Sequence, residues 1–150
     1  MIQQISVFIE NKKGRLAFIT EVLAKAGVDI RAMSVADTSD FGILRLIVDN
    51  PDKAVEAFRN ENMAVSLTDV LAVGVNDTPG GLAAATNALW SNGISVEYAY
   101  AFISQKDGTA FVILRVDDND KAVKVLKDNG IILLTEEEIM AMSNPQGQQP

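Results

Sequence analysis

The chain has 150 residues, 48% of them hydrophobic and 22% charged, and a net charge of −7. Those proportions are ordinary for a globular protein, with no apolar run near the roughly 20 residues a membrane span needs. Cysteine and histidine are both absent, which removes disulfides, thiolate or imidazole metal sites, cysteine nucleophiles and Ser-His-Asp catalysis.

From the N-terminus, Ile5, Val7 and Ile9 alternate with Ser6 and Glu10, the period of a strand. The residues Met1-Ile2-Gln3-Gln4 carry no basic stretch ahead of a long apolar run. No signal peptide is therefore expected, and the cytoplasm is the expected location. Polar residues 10–14 lead into a helix marked by Leu16, Ile19, Leu23 and Ala26 at helical spacing and ended by Gly27. Residues 28–36 read as a second strand, Asp37-Thr38-Ser39-Asp40 as a turn, and 41–48 as a third strand. Asn50-Pro51-Asp52 opens a second helix through Ala54, Val55 and Phe58, with Pro51 in its first turn. Residues 63–67 begin a fourth strand.

The same order then recurs. Residues 71–75 read as a strand, 80–92 as a helix ended by Gly93, and 94–103 as a strand. Gln105-Lys106-Asp107-Gly108 is a turn, followed by a strand at 110–116, a helix at 119–129 and a strand at 131–134. Thr135 before Glu136-Glu137-Glu138 predicts an N-cap and an acidic first turn of a short closing helix. The tail from Ser143, rich in Gln, Pro and Gly, is expected to be disordered.

The recurrence extends to the residues themselves. Lys13-Gly14-Arg15-Leu16-Ala17 lies over Pro79-Gly80-Gly81-Leu82-Ala83, and Ala26-Gly27-Val28-Asp29-Ile30 over Asn92-Gly93-Ile94-Ser95-Val96. Asp52-Lys53-Ala54-Val55 matches Asp120-Lys121-Ala122-Val123 identically, at an offset two residues larger. Two copies are therefore expected, at 1–69 and 70–142. The predicted fold class is α+β: two tandem ferredoxin-like βαββαβ units packed side by side, each an antiparallel sheet with helices on one face. A unit this small is marginal alone. Val96, Tyr98, Tyr100 and Phe102 are expected on one face of their strand, with Ala99, Ala101 and Ile103 on the other. A strand apolar on both faces suggests burial on both, hence a homodimer; the alternative is that Ala99 and Ala101 are simply exposed small residues.

The loop between first strand and first helix is the most informative segment. In the second copy it reads Asn76-Asp77-Thr78-Pro79-Gly80-Gly81-Leu82. Pro79 presets the start of the helix, Gly80 and Gly81 allow close approach to the backbone, and the helix N–H groups attract an anion. Asn76 and Asp77 offer oxygens to an ammonium group. An anion receiver beside an ammonium receiver suits an α-amino acid zwitterion. The alternative is that Thr78 or Asp77 caps a helix and the glycines only turn the chain. No Gly-Lys-Ser/Thr and no Gly-x-Gly-x-x-Gly occurs, so this is not a phosphate loop. In the first copy, Asn11-Lys12-Lys13-Gly14-Arg15 lacks the proline and carries three positive charges. They either hold a carboxylate or are solvated.

A strand followed by Asn-Asp-Thr-Pro-Gly-Gly-Leu-Ala, a helix and Asn-Gly-Ile-Ser-Val resembles the ACT domain, the amino-acid-sensing module of many biosynthetic enzymes. The first copy is similar without the usual proline, and the pair spans residues 3 to about 135. The resemblance implies paired domains with a free amino acid bound where this loop meets the start of the second strand of a neighbouring domain. By position, the loop polar residue falls on Asp77 and Asn11, and the strand residue on Asp29 and Ser95. Asp29 with Ile30 would face the loop 76–80, and Ser95 with Val96 the loop 11–14. The favoured site is the loop 76–82.

Two such copies leave no room for a catalytic domain, so the expected function is a non-catalytic amino-acid-binding regulator, with no cofactor and no metal. It would act on a regulated enzyme. The alternative is an interaction protein that regulates transcription by binding a partner protein such as a transcription factor, similar to the tandem-ACT repressor of glycine cleavage. Direct nucleic-acid binding is disfavoured by the acidic charge and scattered basic residues, among them Lys25, Lys53, Arg59, Lys121, Lys124 and Lys127. Other chemistries on this topology lack their residues. A nucleoside diphosphate kinase needs histidine, and an acylphosphatase needs an arginine in a glycine-rich loop, which Arg15 does not have. An RNA-binding module needs more than Tyr98, Tyr100 and Phe102.

Overall fold

The computed structural model of the chain describes residues 1–37, 40–103 and 108–142. Thr38 and Ser39 of the first expected turn, Gln105, Lys106 and Asp107 of the second, and the tail from Ser143 lie outside the described residues. Two compact units are present. One comprises Gln3–Thr68 together with the segment from Glu137, and the other Met1–Ile2 together with Asp69–Glu136. The closing helix, which follows the second copy in sequence, thus groups with the first.

In the first unit the order is β1 (Ile2–Glu10), α1 (Arg15–Lys25), β2 (Ile30–Asp37), β3 (Phe41–Val48), α2 (Pro51–Asn60) and the start of β4 (Val65–Asn76). Its strands lie in the order β2-β3-β1-β4, with Ser6 opposite Arg45 and Val35 opposite Leu44. Alternation places Ile5, Val7 and Ile9 on the same face as Leu44, Leu46 and Val48. There Ile19 and Leu23 of α1 and Val55 and Phe58 of α2 close over them. Each large side chain so buried is worth roughly 1.5–3 kcal/mol, and this two-layer core holds the β1–α1 loop at one end of the sheet.

The second unit repeats the plan with the rest of β4, α3 (Gly81–Ser91), β5 (Val96–Ala101), β6 (Thr109–Val116), α4 (Asn119–Asp128) and β7 (Ile132–Leu133). The strands run antiparallel in the order β5-β6-β4-β7. Leu71, Val73, Leu114 and Val116 meet Ala85 and Leu89 of α3 and Val125 and Leu126 of α4. The closing helix α5 spans Glu136–Met142 and buries Ile139. Tandem ferredoxin-like units are therefore what the sequence encodes.

The duplication reaches individual bonds. Asn50 caps α2 by accepting from the Lys53 N–H at 3.1 Å, and Asp118 caps α4 from Lys121 at the same distance. One residue earlier, Asp49 accepts from the Asp29 N–H at 2.9 Å and Asp117 from the Ser95 N–H at 3.1 Å. Each aspartate so pins the start of the second strand of its unit.

Two expectations change. The strands read at 63–67 and 71–75 are one strand, β4, because Thr68, Asp69 and Val70 include no glycine or proline to break it. The Asp69 carbonyl inside it accepts from Arg115 Nη1 at 3.3 Å and Asn119 Nδ2 at 3.2 Å. The second change is a β-bulge. Val96 pairs with Val116 and Tyr98 with Arg115, so the register shifts between them. An extra residue reverses the alternation, and Val96 joins Ala99 and Ala101 on the helix side instead of Tyr98 and Tyr100. The first copy has the same shift between Ile30 and Ala32. In the single chain Ala99, Ala101 and Ile103 are exposed. β5 is an edge strand of its sheet.

Candidate ligand-binding loops

Both loops place a left-handed glycine immediately before a helix. Gly14 (φ 79°) is the N-cap of α1 and Gly80 (φ 88°) that of α3, and neither helix receives a side-chain cap. An L side chain is strained at such φ values, which accounts for glycine at both. The alternative that Asp77 or Thr78 caps α3 is therefore not what the structure shows. Pro79 precedes the N-cap, in a turn closed by the Gly81 N–H on the Thr78 carbonyl at 3.0 Å. With no cap, the N–H groups of Leu82 and Ala83 point out of the helix start unserved by any side chain, the ordinary basis of anion attraction there.

Residues 76–80 are all exposed and Leu82 is 42% exposed. Among the described residues Asp77 is tied down through its backbone, its N–H donating to the Gly108 carbonyl at 3.0 Å. Gly81 is where the loop folds most tightly. A Cβ built there collides with the Asn76 carbonyl oxygen and stands 2.9 Å from the Asn76 carbonyl carbon. The loop is wrapped onto its own strand end, and only glycine fits.

The first loop differs at that very place, because Arg15 stands where Gly81 does. The turn is retained, with the Arg15 N–H donating to Lys12 O at 3.3 Å. The guanidinium lies 5.4 Å from the centre of the Phe18 ring, a cation–π contact. Asn11 does not project freely: its Nδ2 donates to Asp37 Oδ1 at 2.9 Å and its N–H to Asp40 O at 3.4 Å. Lys12 pairs with Glu10 at 2.7 Å. That hydrogen bond and the Lys12 charge, with a smaller contribution from Arg15, hold the Glu10 carboxyl below its ordinary range.

The strand-side residues are also placed. Asp29 Oδ2 accepts a hydrogen bond from Arg31 Nη1 at 2.7 Å, so its charge is already matched. Ile30 and Val96 turn toward their own cores, and Ser95 is exposed. Within one unit the loop and the strand start lie at opposite ends of a helix of 11 residues, about 16 Å at 1.5 Å per residue. A single unit therefore does not bring Asn76–Gly81 together with Ser95, nor Asn11–Arg15 with Asp29. Asp37 and Gly108 were missed in the sequence, because their bonds to Asn11 and Asp77 span 26 and 31 positions with no local signal. Asp49 and Asp117 were missed as well, their bonds to Asp29 and Ser95 spanning 20 and 22 positions. Among the described residues no cluster of carboxylates is arranged to hold a metal ion, and no helix is long and apolar enough to cross a membrane.

Comparison with known proteins agrees with this architecture. No curated protein matches the sequence closely enough to count as a relative. Among solved structures, the chain is similar to the protein BT0572 of Bacteroides thetaiotaomicron, at 39% identity and a TM-score of 0.87, over 93% of this chain and 95% of that one. It shares its fold with the ligand-free regulatory subunit of aspartate kinase from Thermus thermophilus, at 18% identity and a TM-score of 0.63, over 85% and 91% of the two chains. The corresponding subunit from Thermus flavus gives 18% identity and a TM-score of 0.58, over 85% and 92%. The family model for the ACT domain pair matches residues 1–143. The chain belongs to the ACT domain pair family.

Proposed function

We propose that this ACT pair is a non-catalytic regulatory protein that binds a free amino acid at its β1–α1-type loops. The observation that carries the reading is the loop 76–82. An uncapped helix start receives the carboxylate, while the exposed oxygens of Asn76 and Asp77 receive the ammonium group. Hydrogen bonds to charged groups contribute roughly 1.5–3 kcal/mol each, so three or four support affinity in the micromolar to millimolar range, about −8 to −4 kcal/mol. Asp29, Ile30, Ser95 and Val96 are the strand-side residues of this proposal, and Asn11, Lys12, Gly14 and Arg15 form the second loop. Regulation follows from binding: the occupied protein acts on an enzyme as a homodimer. Membership of a family of regulatory modules supports this reading, as does the fold shared with the regulatory subunits of aspartate kinase.

A thermal-shift screen of the twenty amino acids tests it, since a ligand at 100 times its dissociation constant stabilises a protein by about 2.7 kcal/mol. One or a few amino acids raise the midpoint, and Asp77→Ala abolishes the rise. If none does, the reading as an interaction protein that controls transcription through a partner takes its place.

A further inference from the structure

The duplication supplies an internal comparison for the first helix of each unit. In α1, Glu21 and Lys25 stand exposed and pair with each other at 3.3 Å, with exposed Ala24 beside them, the solvated face of an ordinary surface helix. The corresponding residues of α3 are Asn87, Ser91 and Trp90. All three are exposed, and Trp90, the single tryptophan of the chain, is 78% open to solvent. Between Gly81 and Ser91 α3 carries no charged residue, whereas α1, α2 and α4 each carry both signs. Ala83 and Ala84 complete its exposed face. Where one copy has an ion pair and an alanine, the other has small uncharged residues around a large aromatic ring. Interface centres are enriched in aromatic side chains and depleted of charge in the same way.

We propose that this face of α3 docks a second copy of the chain, the two helices antiparallel about a twofold axis at Asn87. The face is complementary to itself. Ala83, Asn87 and Trp90 fall on one side of the helix, with Trp90 about 4.5 Å beyond Asn87 along the axis and the two alanines about 4.5–6 Å before it. Turning the helix over about Asn87 therefore sets each indole on the alanines of the other copy, where small side chains let the helices approach closely. The two Asn87 amides meet at the axis, each able to donate and to accept. Charge selects a second copy as the occupant. The chain bears −7, so copies repel over most of their surfaces, and an uncharged face is where that repulsion is least. A partner steered by charge finds nothing on this face to pair with. The exposed share of Trp90 offers about 200 Å² of the roughly 250 Å² of such a side chain. That is a quarter of the roughly 800 Å² each side of a standard interface buries, enough with the flanking helix surface for a reversible dimer. The inference rests on the homodimer of the proposed function and names its interface.

The test is sedimentation equilibrium of the full chain, without any amino acid, over roughly 1 μM to 1 mM, read beside the fluorescence of Trp90. Wild type is expected to pass from monomer to dimer as concentration rises, its tryptophan emission moving to shorter wavelength over the same range. Trp90→Ala and Asn87→Glu are each expected to weaken the dimer at least tenfold, the second by setting two carboxylates against each other at the axis. Both positions are exposed, so the circular dichroism spectrum stays unchanged; should one variant fail to fold, the other decides. Ala99→Glu, on the edge strand β5, is expected to leave the dimer intact. A wild-type chain monomeric throughout overturns the proposal, as does a dimer whose Trp90 emission does not move or wild-type association in either folded α3 variant. A dimer lost in Ala99→Glu and kept in Asn87→Glu overturns it in favour of β5. Amino-acid binding is read separately by the thermal-shift screen, so a monomer that responds to an amino acid sinks this interface alone.

Discussion

Replacing Gly81 by alanine adds one methyl group at the tightest point of the second loop. The added Cβ overlaps the Asn76 carbonyl oxygen and lies 2.9 Å from its carbon and 3.4 Å from the Asn76 nitrogen. All three are backbone atoms, so no flexible side chain gives way and the strand end or the helix start must move. Forcing atoms into a packed site costs about 1–3 kcal/mol. Against this stands the preference of a helix for alanine over glycine, about 1 kcal/mol in a helix interior and less at the first residue. The net loss is about 1–2 kcal/mol, which lowers the melting temperature of a domain of 60–100 residues by roughly 4–15 °C. Scanning calorimetry of Gly81→Ala beside Arg15→Ala reads it directly, since the latter sits at the matching position and removes atoms from a partly exposed side chain. A Gly81→Ala protein that melts within a degree of wild type refutes the tightly wrapped loop, and with it the geometry assigned to the amino-acid site.

Asn50→Ala and Asp118→Ala each remove the side-chain acceptor of one helix start. Each is expected to cost about 1 kcal/mol, measured by urea unfolding with an unchanged slope. Phe58→Ala empties a fully buried position in the first core and is expected to cost about 3–5 kcal/mol. Lys12→Met removes the main cause of the lowered Glu10 pKa, so the Glu10 carboxyl titrates closer to its ordinary value of 4.5 in an NMR pH series. The sign follows from linkage. A carboxyl depressed in the folded state stabilises above its unfolded value, and that contribution is lost as pH falls through the folded value. Wild type therefore loses slightly more stability than Lys12→Met on acidification below pH 4.5. The difference is small because Glu10 is solvent-exposed.

The architecture was legible because it is written twice. Alternation in β1, Asn50-Pro51 at the opening of α2, and the repeated Gly-x-Leu-Ala at residues 14–17 and 80–83 each carry local physical information. Features that depend on register were not legible. One extra residue before Tyr98 moves Val96 to the opposite face, and neither propensity nor spacing announces a bulge where every residue suits a strand. The continuity of β4 was hidden for a related reason, as the polar Thr68-Asp69 pair resembles a loop until Arg115 and Asn119 fasten the Asp69 carbonyl. In the loops, the sequence marked the glycines but left open whether Asp77 or Thr78 caps the helix, since the left-handed turn at Gly80 is a conformation and leaves no separate mark in composition.

The most direct measurement is amide NMR of the full chain titrated with the amino acid that most raises its melting temperature. Binding at the proposed loop predicts the largest shifts at the N–H groups of Gly80, Gly81, Leu82 and Ala83, and their loss in Asp77→Ala. Shifts confined to residues remote from both β1–α1-type loops, or no saturable shift with any of the twenty amino acids, contradict the account.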